Sequence, residues 1–233
     1  MDYILLPSTI EFTETDDKNV GELIISPCHQ GYGTTIGNSL RRVLLSSIEG
    51  AAVETLKIEG ASHEFSVIEG VKEDVIEIML NLKNLAVISH SENPVTLNLT
   101  KKGIGDVTAA DFAKNADIEI INPELKIATI TDAKKEFNLE VIIGKGLGYV
   151  AASEKNSKNL DLGTIMMDSF YSPIKDVGYT VENTRVGDIT DYEKVILKIE
   201  TNGTISPRLA VSKATKILMD HYSLILDEAN KNE

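Results

Sequence analysis

The sequence is poor in the residues that mark several protein classes. A single cysteine, Cys28, stands among 233 residues, so no internal disulfide forms and a disulfide-stapled miniprotein is excluded. No apolar run approaches the ~20 residues needed to cross a bilayer, and Met1 to Pro7 lack the basic start and long apolar stretch of a signal peptide. The expected compartment is the cytoplasm, with no membrane partner, and the Asn-x-Thr triplets at Asn98 and Asn202 are then chance matches. Positive charge is also scarce: 23 Lys and Arg stand against 36 Asp and Glu, a formal net charge of -13. Such a chain repels a polyphosphate backbone, which argues against a free-standing DNA-binding module. The four histidines, His29, His63, His90 and His221, are scattered, and Cys28-His29 has no second pair at ligand spacing, so neither a zinc site nor any other cofactor is expected. No nucleophile elbow, two-metal motif, internal repeat or low-complexity tract is present. The adjacent acids Glu73-Asp74 fall on a helix flank, where solvent exposure is the default.

What remains is an ordinary globular composition, 42% hydrophobic and 25% charged, long enough for one large domain or two small ones. Ile10 to Phe12 and Gly21 to Ser26, separated by the acidic turn Glu14 to Asp17, read as an edge hairpin. A Gly-rich turn, Gly31 to Gly37, precedes Asn38 to Ile48, where apolar positions 36, 40, 43, 44 and 48 have helical spacing and Gly50 supplies a stop. From about residue 50 to 172 the texture is mainly β. Val53–Glu59, Val95–Leu99, Asp117–Ile121, Lys126–Ile130 and Phe137–Ile143 alternate, and one long helix is predicted over Val71–Leu82. After Pro173 come strand-like Gly178–Asn183 and Val195–Glu200, a turn at Asn202-Gly203, and a long helix from about Ser206 to Ala229, entered through Ser206-Pro207. Its apolar residues, from Leu209 to Leu226, wrap more than one stripe and require cover on two sides. Either one face lies on its own sheet and another on a second copy, or the helix is wholly buried within its domain. The fold class is α+β: a discontinuous domain of residues 1–49 and 173–233, a sheet plus two helices, with a mainly β domain of residues 50–172 inserted and carrying one long helix.

Two glycine-rich stretches invite a nucleotide. Gly31 to Gly37 departs from G-x-G-x-x-G because its third glycine arrives one residue late, and Gly144-Lys145-Gly146-Leu147-Gly148 lacks the Lys-Ser/Thr ending of a phosphate-binding loop, so a loop or bulged strand end is the better reading. A nucleotide-binding enzyme using Gly31 to Gly37 stands as a rival. On a wheel with Leu40 at the core, Ile36, Val43, Leu44 and Ile48 gather around it, whereas Asn38, Arg42 and Leu45 fall opposite and Arg41 lies between. Arg42, Asn38 and Leu45 form either an anchor patch for another protein, the guanidinium supplying a bidentate fork and the leucine desolvated area, or a solvated surface.

The run Gly31-Tyr32-Gly33-Thr34-Thr35-Ile36-Gly37-Asn38-Ser39-Leu40-Arg41-Arg42-Val43-Leu44-Leu45-Ser46-Ser47 resembles the signature of the bacterial RNA polymerase alpha subunit. Further matches follow in order at His63 to Ser66, Glu69 to Val75, Asn81 to Val87, Gly103 to Gly105, Val107 to Asp111, Gly148 to Val150, Tyr171 to Pro173 and Glu200 to Ile205. This resemblance implies a dimerisation domain built from both chain ends, an insert domain between them, and assembly of the beta and beta-prime subunits on the homodimer. It places Arg42 as the principal beta-subunit contact, and Leu45, Asn38, Lys83, Asp168 and Tyr171 at or near large-subunit interfaces. It also implies dimerisation through the first and last helices, with Leu40, Val43, Leu44, Ile217, Leu218, Tyr222 and Ile225 at the interface. The family continues through a linker into a DNA-binding carboxy-terminal domain, and Asn230 to Glu233 resemble the start of that linker, so no direct DNA binding is expected of these residues. No catalytic residue of the nucleotidyltransferase is expected here. A homodimeric interaction module unrelated to transcription is the second rival.

Overall fold

Period-two burial and three capped or clamped helices account for the architecture. A computed structural model describes residues 4–155 and 161–232; Met1 to Tyr3 and Glu233, named above, lie outside them. In chain order the elements are β1 (Thr9–Glu14), β2 (Val20–Cys28), α1 (Tyr32–Ser47), β3 (Glu49–Ile58), α2 (Val75–Leu82), β4 (Val87–Ser89), β5 (Val95–Lys102), β6 (Gly105–Thr108), β7 (Ile118–Ile120) and β8 (Lys126–Ile130). There follow β9 (Glu136–Leu147), β10 (Tyr149–Val150), β11 (Ile165–Met166), β12 (Ser169–Phe170), β13 (Ile174–Val186), β14 (Ile189–Thr201) and α3 (Pro207–Ala229). The chain divides into two compact units, residues 1–48 with 173–233, and residues 49–172.

In the first unit an antiparallel sheet runs β1-β2-β14-β13, with the predicted hairpin at one edge. Alternate residues of β14, Val195, Leu197 and Ile199, are fully buried and meet Leu23 and Ile25 of β2 together with Leu40, Leu44 and Ile48. The stretch read as a glycine turn is helix: α1 starts at Tyr32, and Gly33 and Gly37 are buried within it. Glycine is needed there for closeness, since a Cβ on Gly37 would lie 2.6 Å from the Tyr179 ring and one on Gly33 3.0 Å from Val181. The helix ends at Ser47, before the predicted Gly50 stop, because β3 already begins at Glu49. On α3, Ser206 Oγ accepts from Leu209 N at 3.3 Å and Pro207 occupies the first turn, as its sequence foretells.

In the second unit the main sheet runs β11-β3-β9-β5, with β4-β7, β6-β8 and β10-β12 as two-stranded pairs. Phe137, Leu139, Val141 and Ile143 of β9 face a core closed by Ile78 and Leu82 of α2 and by Ile127 and Ile130 of β8. The predicted long helix over Val71–Leu82 is only eight residues. Val71 forms a bridge with Ile130, and Asp74 caps the helix by accepting from Glu77 N at 2.7 Å. Glu73 is not a solvated flank: its side chain is 13% exposed and accepts from Thr129 N (2.6 Å) and Thr129 Oγ1 (2.8 Å). Of the two readings of Gly144 to Gly148 the strand end holds and the loop does not, because β9 continues to Leu147 and Gly148 turns, at φ 59°.

Candidate functional site

Helix α1 is held to its sheet along one line, 33-37-41, and this determines what the opposite side presents. Arg41 Nε donates to the Val177 carbonyl at 3.0 Å, one turn beyond the Gly37–Tyr179 contact. One residue on, Arg42 is exposed, as is Asn38 a turn earlier. Among the described residues neither side chain has a hydrogen-bond or ion-pair partner. A free guanidinium beside a free amide, four residues apart on a fixed helix, can bind a carboxylate or backbone carbonyls of another chain bidentately. Leu45 is not the exposed anchor the wheel suggests: it is half-buried, because it packs against the edge of its own unit's core.

The N-terminus of α1 also disposes of the nucleotide rival. The helix has no capping side chain of its own and no acid in its first turn. The Glu193 carboxylate of β14 stands in, accepting from Gly31 N (2.9 Å) and Gly33 N (2.8 Å). The backbone donors that would cradle a phosphate already hold an anion of the protein itself.

The long helix resolves into two halves. Ala210 and Ala214 are buried, and Ile217 and Leu218 are half-buried against the chain's own core. Beyond Leu218 the apolar residues are largely uncovered: Met219, Tyr222, Leu224, Ile225 and Leu226 expose 57 to 70% of their surface. The wholly buried alternative is therefore wrong. Of the residues assigned to a dimer contact, Leu40 and Leu44 have no surface to give a second copy, because they are 6% and 0% exposed inside their own unit. Val43, Ile217 and Leu218 keep a partial edge, and Tyr222 and Ile225 are open.

In the second unit the structure joins two residues 85 positions apart: Lys83 Nζ lies 2.9 Å from Asp168 Oδ2. Asp168 Oδ1 accepts from Ala152 N at 3.0 Å. That backbone bond, then Lys83 and Tyr149, hold the Asp168 carboxyl below its ordinary value against a desolvation cost. The strand-like alternation over Ile165 to Tyr171 turns Ser169 and Tyr171 inward. Tyr171 is 5% exposed, and its hydroxyl donates to Glu54 Oε1 at 2.6 Å, so it supports the segment and offers no contact surface. Burial, and then the Glu54 bond, push its phenol well above the usual tyrosine value. A Cβ on Gly146 would lie 2.8 Å from that ring, which explains the glycine there. Lys155 donates to the Met167 carbonyl (2.7 Å) and to Ser169 Oγ, and burial pushes its ammonium down. Outward stand Phe170 and Tyr149, both exposed, with ring centroids 4.7 Å apart. The resemblance covers both positions, Tyr149 in Gly148 to Val150 and Phe170 in the contact-like stretch Asp168 to Pro173, but it singles out neither aromatic. Period-two counting from buried Met167 and Ser169 would have turned Phe170 outward.

Among the described residues no group of three or more His, Cys, Asp or Glu is placed to hold a metal ion. One open groove runs past Lys57, Glu59, Asn98, Thr100, Asn138 and Glu140 and has no histidine; another holds His90 and Glu119 but no serine, threonine or cysteine. No helix among the described residues is long and apolar enough to cross a membrane.

The described residues form a mixed α+β fold that presents exposed side chains, Arg42, Asn38, Tyr149 and Phe170 among them, on regular secondary structure. Comparison makes the class specific. The RNA polymerase Rpb3/RpoA insert domain profile matches residues 56–172. A protein of Alkaliphilus metalliredigens named DNA-directed RNA polymerase subunit alpha is 46% identical over 220 residues, covering 94% of this chain and 70% of its own length. Proteins of the same name from Staphylococcus saprophyticus and Staphylococcus aureus are 46% identical over 228 residues, 97% of this chain and 72% of theirs. The chain belongs to the DNA-directed RNA polymerase alpha-subunit family.

Proposed function

We propose that the chain is an assembly subunit of DNA-directed RNA polymerase, acting in the cytoplasm as a homodimer on which the beta and beta-prime subunits gather. The discontinuous unit is the dimerisation domain and residues 49–172 are the insert domain. The observation that carries this reading is the bare second half of α3. An apolar helix end of this kind is costly in water and is covered in a symmetric pair by the same surface of a second copy. Arg42 and Asn38 take the beta subunit. The Lys83–Asp168 pair, with Phe170 and Tyr149 beside it, forms a second large-subunit contact. The chain contributes no catalytic group to nucleotidyl transfer and binds no DNA directly, in keeping with its net charge of -13. Light scattering on the purified chain is expected to give twice the protomer mass, and mixing with the beta and then the beta-prime subunit is expected to yield a stepwise complex. A monomer at micromolar concentration, or a dimer that captures neither subunit, would refute the reading.

A further inference from the structure

Glu193 is out of place by the pattern of its own strand. Along β14 the residues Val195, Leu197 and Ile199 are fully buried, and Glu193 occupies the next position on that same inward face. A carboxylate aimed inward at the end of an apolar row is an expense a strand does not carry without return. Here it accepts from the Gly31 and Gly33 amides, one to each oxygen, at 2.9 and 2.8 Å. The contact is close enough that a Cβ on Gly33 would lie 2.6 Å from Glu193 Oε2. The register between β2 and β14 shifts at this point, between the pairs Glu193–Cys28 and Val195–Ile25. Glu193 therefore sits opposite Cys28, the residue that ends β2, three residues before the cap of α1, Gly31.

The geometry points to Glu193 as a positioning residue for large-subunit capture. Resting on the assignment of Arg42 and Asn38 as the capture groups, it fixes the axial height and rotation at which α1 presents them. Three fastenings lie one turn apart along the helix: Glu193 at Gly31 and Gly33, the Tyr179 ring at Gly37, and the Val177 carbonyl at Arg41. The second is contact without directional bonding, and the third belongs to a residue that adjoins Arg42. Glu193 is the only one of the three that holds the helix start, where orphan N–H groups otherwise fray into water. It is also an anion at the positive end of the helix, supplied from across the sheet because neither the cap residue Gly31 nor the first turn carries one. A bidentate fork loses its fit with small rotations, so rigidity at the start of α1 becomes affinity two turns later.

The test uses the full chain and the purified beta subunit. Glu193→Gln keeps the shape but leaves one acceptor oxygen, with an NH2 facing an N–H. Its dimer mass and circular dichroism are expected to match wild type, while amide exchange over residues 31–36 accelerates and the apparent affinity for the beta subunit falls about tenfold. Glu193→Asp, which keeps the charge on a shorter stem, is expected to recover part of both losses. In an Arg42→Ala background Glu193→Gln is expected to add little, because the group it positions is gone. Unchanged exchange in Glu193→Gln, normal capture despite accelerated exchange, or a full tenfold loss that persists in the Arg42→Ala background would each overturn the inference. If Arg42→Ala itself captures the beta subunit like wild type, the capture assignment falls first. If Glu193→Gln does not fold, Glu193→Asp carries the same readouts and criteria.

Discussion

Ile225→Glu is the sharpest perturbation of the α3 surface. Tyr222, Leu224, Ile225 and Leu226 expose 57, 70, 65 and 60% of their surface. Full burial of such side chains stabilises by roughly 1.5 to 3 kcal/mol each, so the exposed part of each holds about 1 to 2 kcal/mol in reserve. Two copies of four residues then supply about 8 to 16 kcal/mol gross, against roughly 4 to 15 kcal/mol for lost freedom on association. The net margin is a few kcal/mol, small enough for one residue to decide. Twofold symmetry places any substitution in the interface twice. Each of the two introduced carboxylates forfeits the apolar gain and adds about 3 kcal/mol or more as an unpaired buried charge. The pair therefore costs on the order of 8 kcal/mol and exceeds the margin. Sedimentation equilibrium from nanomolar to tens of micromolar should show a dimer for the native chain and a monomer for the variant. Far-UV circular dichroism should be unchanged, because the Ile225 side chain is not part of its own unit's core. Leu218→Glu is the poorer probe, since Leu218 leans on that core and its loss confuses folding with association. A variant that remains dimeric across the range would show that the bare face is not the contact.

Arg42→Ala should leave the dimer intact and weaken capture of the beta subunit by about 2 to 5 kcal/mol, the usual loss for one partner of a desolvated charged contact, read by titration of labelled subunit. Gly37→Ala should destabilise the first unit, contrary to the gain of up to ~1 kcal/mol that alanine normally brings inside a helix. Its Cβ would sit 2.6 Å from Tyr179, and overpacking of this kind costs about 1 to 3 kcal/mol; urea unfolding at or above native stability would refute it. Asp168 gives a pH signature. Its folded value lies below the unfolded 3.8, so its contribution is complete above that value and is lost as pH falls through the lower folded one. Thermal melts of native protein and Asp168→Asn should differ near neutrality and converge at acid pH. The gap should shrink in high salt, because the carboxylate is 36% exposed. A gap that is constant across pH would mean that the Lys83 and Ala152 bonds contribute nothing.

Most of the longer strands were legible as segments because half-buried strands write themselves at period two, whereas their order in the sheets was not. Lys126 to Ile130 and the β1–β2 hairpin are examples, and α3 announced its start through Ser206-Pro207. The failures have a common physical source. Gly33 and Gly37 read as a turn because glycine lowers helix propensity, and only residues far along the chain, Tyr179 at Gly37 and Glu193 and Val181 at Gly33, meet the Cβ atoms they lack. Val71 to Glu73 read as helix because their spacing fits one, but Ile130 and Thr129 claimed their backbone and side chains first. The wheel placed Asn38 and Arg42 outward correctly, since that follows from spacing alone. It could not warn that Leu45 is half-covered, but it did set Leu44 in the core, where burial withholds it from the contact that the resemblance assigned to it. The Lys83–Asp168 pair was named residue by residue through resemblance, but its joining across 85 positions was invisible to spacing. Glu193 fell before the strand predicted from Val195 and was passed over, because β14 begins earlier, at Ile189, and a lone acid in an acidic chain carries no signal until its amide partners are known.

The way residues 49–172 close on themselves has a consequence for how the chain is made. Glu49 pairs with Leu147, and the neighbouring Gly148 carbonyl accepts from Tyr171 N and Ser172 N. The two ends of this stretch therefore meet at one place. On a ribosome its residues are synthesised before those of β13, β14 and α3, while β1, β2 and α1 wait with an unpaired strand edge and an uncovered glycine face. When it closes, it replaces a loop of roughly 120 residues by a short bridge, which lowers the entropy cost of bringing β14 to β2. The inserted unit thus acts as a clasp during synthesis. Slowing its folding should trap nascent chains with the first unit half built, before any second copy has a finished face to meet.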